Sequence, residues 1–277
     1  MLPENLKFAN IVHDLTVDKA AFLRALADNP PPAHKYVITF TARSGSTWLT
    51  AVLAATRQLG NPEEYINPDF VRDVARGLNA NEARAFLSIL QCCNKTQNGV
   101  FGMEARHIDI ELLGETEFFS SFNEATVYFN LWRENIVAQA VSLYRAVSSG
   151  RYHSTENGAP STPLYDAEKI TEWLAHIHAQ ENDNIKLLRT WGRTFSNLRY
   201  ETMVKNRQAV VQHFFDRLGL GDVQKLPEPP ASDEIQKIGD HWNVEVEQRY
   251  RAEQAEAIAR FESTRLVREF KEEDIAV

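Results

Sequence analysis

A chain of 277 residues with 43% hydrophobic and 25% charged residues has the composition of an ordinary globular protein, long enough to bury one large core. Its formal charge of −8 argues against a nucleic-acid or polyanion binder, which would carry basic stripes, so an anionic ligand has to be held by a local cluster. No apolar run approaches the ~18 residues of a membrane span, the first residues lack a basic-then-apolar leader, and the only cysteines, Cys92 and Cys93, are adjacent. These features predict a soluble, cytoplasmic protein without long-range disulfides, in which Cys92 and Cys93 are half-buried thiols on a helix.

In chain order, Ala21, Phe22, Leu23 and Leu26 share a face of a predicted helix over 17–27, and Pro30, Pro31 and Pro32 end that arm. Val37, Ile38 and Thr39 with their aromatic neighbours predict a strand. Trp48, Leu49, Val52, Leu53 and Leu59 then follow at helical spacing until Gly60-Asn61-Pro62. Helical patterns over 69–78 and 82–92 lead to a short strand at 100–103 and a further helical pattern over 108–122. The apolar, aromatic run 126–132 reads as a buried strand, followed by a helix over 136–148. The stretch 150–163, rich in Gly, Pro and hydroxyls, is long enough for a lid or binding loop. A long helix over 166–191, a strand at 195–200 and a helix over 202–218 capped by Gly219 come next. A Pro-rich break at 226–232 precedes a charged helix over 244–270.

Strands alternating with helices predict an α/β protein with a central, mainly parallel sheet flanked by helices, in three layers, and ligands at the carboxyl ends of the strands. The tail beyond the break is too short to own a core. One domain is therefore expected, with 1–35 as a helical arm, 36–225 as core and 226–277 as break and terminal helix. The arm and the charged terminal helix offer contact surfaces for a homodimer.

The most informative stretch is Thr41-Ala42-Arg43-Ser44-Gly45-Ser46-Thr47-Trp48-Leu49, where the first strand enters a helix through small residues. Such a loop presents unpaired backbone N–H groups and the positive end of a helix dipole to an anion. Set against the phosphate loop of nucleoside triphosphatases, Phe40 stands at the first glycine, Gly45 at the second, Ser46 at the lysine and Thr47 at the hydroxyl position. The loop is P-loop-like without the lysine that grips a γ-phosphate, and it carries Arg43, a permanently charged fork suited to oxyanions. Trp132-Arg133-Glu134-Asn135, leading into Ile136 and Ser142, repeats the grammar of strand, polar turn and helix.

These segments, with Gly60-Asn61-Pro62-Glu63-Glu64-Tyr65 and Leu198-Arg199-Tyr200-Glu201, resemble the sulfotransferases that use 3′-phosphoadenosine 5′-phosphosulfate, in particular the bacterial Stf0-type branch. The resemblance runs from about 36 to 250. It implies sulfuryl transfer from that donor to a hydroxyl of a carbohydrate or other small or lipid-linked acceptor, such as a glycolipid, with no metal required. It assigns Arg43, Ser44, Gly45, Ser46, Thr47 and Trp48 to the 5′-phosphosulfate, Arg133 and Ser142 to the 3′-phosphate, and Tyr200 to the adenosine region. Lys237, in Lys237-Ile238-Gly239-Asp240-His241-Trp242-Asn243, lies in a segment similar to a cofactor-capping loop.

Fixed donors at the leaving phosphate, Arg43 among them, would stabilise the charge that builds there. For the base that takes the acceptor proton, Glu64 matches the family's catalytic glutamate, and His107, after a strand, is the rival. Glu104 departs from the resemblance, because relatives tend to carry lysine there; the reversed charge points to an acceptor other than trehalose, cationic or amine-bearing. His176 and His178, two apart on a helix, do not share a face and do not suggest a metal site. Two other readings compete: a P-loop nucleotide kinase or triphosphatase, disfavoured by the absent lysine, and a non-catalytic module that binds adenosine bisphosphate.

Overall fold

The computed structural model describes residues 3, 6–150, 163–223, 226 and 241–270. Two N-terminal helices, α1 (Phe8–Ile11) and α2 (Lys19–Asp28), precede strand β1 (His34–Thr39). Asp18 starts α2 by accepting from the amides of Ala20 and Ala21 at 2.9 and 3.0 Å, an N-cap that satisfies two orphan donors. After β1 come α3 (Ser46–Ala55), α4 (Val71–Gly77), α5 (Ala83–Cys93), β2 (Val100–Glu104), α6 (His107–Leu113), α7 (Glu115–Ser121), β3 (Val127–Trp132) and α8 (Ile136–Ser149). The chain continues through α9 (Ala167–Thr190), β4 (Phe195–Arg199), α10 (Tyr200–Met203), α11 (Arg207–Leu218), α12 (His241–Glu253) and α13 (Ala255–Ser263), ending in a 3-10 turn, Leu266–Glu269.

The four strands form one parallel sheet in the order β2-β1-β3-β4, with Ile38 of β1 opposite Glu104 and Phe129. Alternation along the strands divides the core. Val37, Phe101, Met103 and Tyr128 pack on one face with α1 and α4–α7, whereas Tyr36, Ile38, Val100, Phe129, Leu131 and Leu198 pack on the other with α3 and α11. A third cluster joins α8, α9 and α12, including the fully buried Ile170, Leu174, Ile177 and Tyr250. The expected architecture is present: a parallel sheet between helical layers, all strands ending towards one edge.

Several boundaries differ from the sequence reading. The helix expected over 108–122 is two helices, because Gly114 at φ 107° leaves the helical region and ends α6. The helix expected over 202–218 is split as well: Asn206, accepting from the Ala209 amide at 3.0 Å, starts α11 as a separate unit. The terminal helix is interrupted at Gln254 and ends at Ser263. Cys92 is buried and Cys93 exposed on α5, not an equally half-buried pair. The long loop and most of the Pro-rich break lie outside the described residues. Among the described residues, no helix is long and apolar enough to cross a membrane.

Gly102 matters to the site. A Cβ there would lie 2.1 Å from Cζ of Tyr36, so only glycine lets that ring cross β2. The Tyr36 hydroxyl donates to the Leu59 carbonyl at 2.6 Å, and Gly60, at φ 83°, packs against the Gly102 backbone. This contact ties the exit from α3 to the sheet and sets the course of the segment that carries Glu64.

Candidate active site

The loop between β1 and α3 is held from beneath by two distant helices. Gln139 of α8, fully buried, donates through Nε2 to Thr41 Oγ1 at 2.8 Å and to the Ala42 carbonyl at 2.7 Å. Asn184 of α9 donates to the Phe40 carbonyl at 2.9 Å while its Oδ1 accepts from the His107 amide at 2.7 Å. Arg43 and Gly45 both take positive φ, 64° and 96°. The left-handed region is costly for a residue that carries a Cβ, and Arg43 there marks a loop held against its own preference. Gly45 is obligatory for a second reason: a Cβ would lie 2.3 Å from Cδ2 of Tyr200. Ser44 is buried, and its Oγ has no protein partner.

The second turn, after β3, meets this loop directly. Arg43 Nε donates to Ser142 Oγ of α8 at 3.0 Å, and Arg133 Nη1 reaches the Arg43 carbonyl at 3.4 Å. The Arg133 guanidinium lies 4.9 Å from the centre of the Tyr200 ring, the ring that packs on Gly45. Loop, turn and the start of α10 therefore share one aromatic side chain. Arg133 Nε stands 3.8 Å from Glu201 Oε1 and has no hydrogen-bond partner.

The backbone N–H groups of Glu134 and Asn135, just ahead of α8, donate to Glu201 at 3.0 and 3.2 Å, and Asn135 Oδ1 caps α8 by accepting from the Ala138 amide at 2.9 Å. The turn's backbone is also fixed from outside. Arg265, beyond α13, is buried, pairs with Glu181 of α9 through Nε and Nη2 at 2.9 and 2.7 Å, and donates to the carbonyls of Arg133 and Glu134 at 2.7 and 3.1 Å.

On the β2 side stand the candidates for the base. Glu64, half-buried in the segment after α3, accepts from Asn67 Nδ2 at 2.6 Å. Glu104 closes β2; its amide donates to the Glu63 carbonyl at 3.0 Å, so the two acidic segments run side by side. Burial, reinforced by the Glu64 carboxylate and opposed by the Arg106 guanidinium, pushes the Glu104 carboxyl well above the usual carboxylate range. Arg106 is gripped by Asp109 through two hydrogen bonds of 2.8 and 2.7 Å. His107 opens α6 with its Nε2 3.8 Å from Asp183 Oδ2, and burial holds its imidazole below the ordinary value against the pull of Asp183 and Asp109. His107 is thus a half-buried first-turn residue whose Nδ1 is buried without a hydrogen-bond partner.

The structure brings Arg43, Ser44, Gly45, Ser142, Arg133 and Tyr200 together. Ser46 is buried in the first turn of α3 and Thr47 is exposed, whereas Trp48 packs partly buried against the α3 core. Lys237 lies outside the described residues. Gln139, Asn184 and Arg265 were not singled out by the sequence, because a polar residue on a long helix or in a tail gives no local sign of a partner across the fold. Among the described residues, no group of three or more His, Cys, Asp or Glu is placed to hold a metal ion.

Residues 35–253 match the family model of the Stf0 sulphotransferases, and the chain belongs to that family. It is 23% identical over 257 residues to trehalose 2-sulfotransferase of Mycobacterium tuberculosis (strain ATCC 35801 / TMC 107 / Erdman), a match covering 79% of this chain and 94% of that protein. Among solved structures, it is similar to the sulfotransferase domain of the Synechococcus PCC 7002 olefin synthase, with TM-score 0.48, 16% identity, and 85% of this chain and 96% of that one covered. A sulfotransferase from Alicyclobacillus acidocaldarius is matched with TM-score 0.46 and 16% identity, covering 84% and 95% of the two chains.

Proposed function

We propose that the protein transfers a sulfuryl group from 3′-phosphoadenosine 5′-phosphosulfate to a hydroxyl of a carbohydrate or similar small or lipid-linked acceptor. The observation that carries this reading is the direct contact between the two strand-to-helix turns assigned here to the donor's two anionic ends. Arg43 of the β1–α3 loop is bonded to Ser142, and Arg133 reaches back to the Arg43 carbonyl over Tyr200. A donor phosphorylated at both ends of one nucleoside requires two such sites at fixed separation, whereas a nucleoside triphosphate requires one loop with its lysine. The buried polar atoms fit such a guest: Ser44 Oγ and Arg133 Nε have no protein partner, and Gly45 allows close backbone approach. Trehalose 2-sulfotransferase, the curated relative, acts on a sugar by its name, and this supports a sugar-like acceptor here.

In this reading the acceptor oxygen attacks sulfur while the bond from sulfur to the donor's bridging phosphate oxygen breaks, leaving adenosine 3′,5′-bisphosphate. Glu64 takes the hydroxyl proton. Loop amides, Ser44 and Arg43 stabilise charge on the departing phosphate, as preorganised donors do. His107 faces Asp183 and is anchored through its amide to Asn184, a placement that suits support of α6 better than proton transfer. Incubation with labelled donor and a sugar panel is expected to give labelled ester and adenosine 3′,5′-bisphosphate in equal amounts. Metal-dependent transfer from ATP without affinity for the bisphosphate would instead establish a kinase.

A further inference from the structure

The acceptor side contains one group that sulfuryl transfer by Glu64 does not use. Glu104 is 4% exposed, and its Oε1 is buried without a hydrogen-bond partner. Phe101 and Met103 face the α4–α7 layer and Val100 faces α3 and α11, so alternation turns Glu104 to the α3 side, the side of the phosphate loop. It sits at the carboxyl end of β2, opposite Ile38, where β1 is about to enter that loop. Its amide is bonded to the carbonyl of Glu63, next to Glu64.

An unpaired buried carboxyl at the mouth of a strand is costly and calls for a partner from outside the chain. We propose that Glu104 is an acceptor-recognition residue and that the acceptor it selects carries an ammonium group beside the hydroxyl to be sulfated. The inference rests on the sulfuryl-transfer reading of the site.

The local charges favour a cation over a neutral polyol. Among the described residues, the charged and titratable groups acting on Glu104 are Glu64 from the segment after α3, Arg106 just beyond β2, and Tyr36 of β1, whose buried phenol is pushed well above its ordinary value. Arg106 is the cation among them, and its Nε and Nη2 are directed to Asp109. The carboxyl of Glu64 shares Arg106 with Asp109, and after burial it is the second reason that the Glu104 carboxyl is pushed up in the free protein. An entering ammonium supplies the missing charge. Glu104 then ionises, and its proton leaves to solvent, so binding a cationic acceptor releases a proton that binding a neutral one does not.

The test compares three probes with the full chain and donor: an oligosaccharide of glucosamine, its N-acetylated form, and the corresponding glucose oligosaccharide. The amine form is expected to show at least tenfold higher kcat/KM for O-sulfation than either neutral form. Its binding should release protons, seen in calorimetry across buffers of different ionisation enthalpy. Glu104→Gln should reduce the ratio of amine to N-acetyl kcat/KM at least tenfold. If that variant shows no melting shift with adenosine 3′,5′-bisphosphate, Glu104→Asp replaces it and should keep the amine preference. Sulfation of neutral forms as well as or better than the amine form, or an unchanged ratio in Glu104→Gln, overturns the inference and leaves the enzyme a sulfotransferase. Loss of both bisphosphate binding and sulfation in the wild type overturns both.

Discussion

Arg265 Nη2 donates to the carbonyl of Arg133 at 2.7 Å, across 132 residues of chain, while its other face is paired with Glu181. The tail thereby fixes the backbone whose side chain is assigned to the donor's 3′-phosphate. Arg265→Met leaves Glu181 buried and unpaired, and loss of one partner of a buried pair costs about 3–5 kcal/mol. Denaturant unfolding should show that loss. Titration with adenosine 3′,5′-bisphosphate under stabilising conditions should show weaker binding; full affinity would mean that the turn holds its shape without Arg265.

Glu64→Gln keeps size and polarity and removes the base. Turnover should fall about 10²–10⁴-fold, the range of general-base catalysis, with bisphosphate affinity unchanged. A rate equal to wild type would transfer the role to His107, whose substitution would then produce the drop.

Gly45→Ala places a Cβ against Tyr200 and forces a side chain into left-handed backbone at φ 96°. The loop and the Tyr200 ring cannot both keep their places, and the ring also carries the Arg133 contact. Bisphosphate binding should weaken at least tenfold. Retained affinity would show that the Gly45–Tyr200 contact is dispensable.

The buried acid predicts a pH-dependent stability. The carboxyl of Glu104 is raised in the folded protein, so the folded state holds a proton that the unfolded chain releases. Its contribution is full below the unfolded value of about 4.5 and declines as pH rises through the folded value. Unfolding curves of wild type and Glu104→Gln should therefore converge in acid, with the variant gaining relative stability as pH rises. A constant difference would place Glu104 outside the titrating groups.

How much of this was legible follows from how local each signal is. The loop at 41–47 and the turn at Arg133 were readable, because strand, small or polar turn and helix are written in consecutive residues. Gly114 is passed over: one helical pattern reads through 108–122, because apolar spacing continues across the glycine that separates α6 from α7. The braces were not readable. Gln139 lies 97 residues from Ala42 and Asn184 lies 144 from Phe40, and only the packing of α8 and α9 on the sheet brings them together. The bonds from the Glu134 and Asn135 amides to Glu201 were hidden for the same reason, since the carboxylate arrives from α10, 67 residues away from Glu134. The sequence singled out Glu104 as a reversed charge pointing to a cationic or amine-bearing acceptor; its burial beside Glu64 is a property of the assembled strands.

The central claim is that Arg43 and Arg133 serve two ends of one donor. The most direct measurement is the affinity of wild type and Arg133→Ala for adenosine 3′,5′-bisphosphate and for adenosine 5′-phosphate. Wild type should bind the bisphosphate at least tenfold more tightly, and Arg133→Ala should bind the two alike. Equal affinity in the wild type, or a bisphosphate preference that survives Arg133→Ala, would contradict the two-site account.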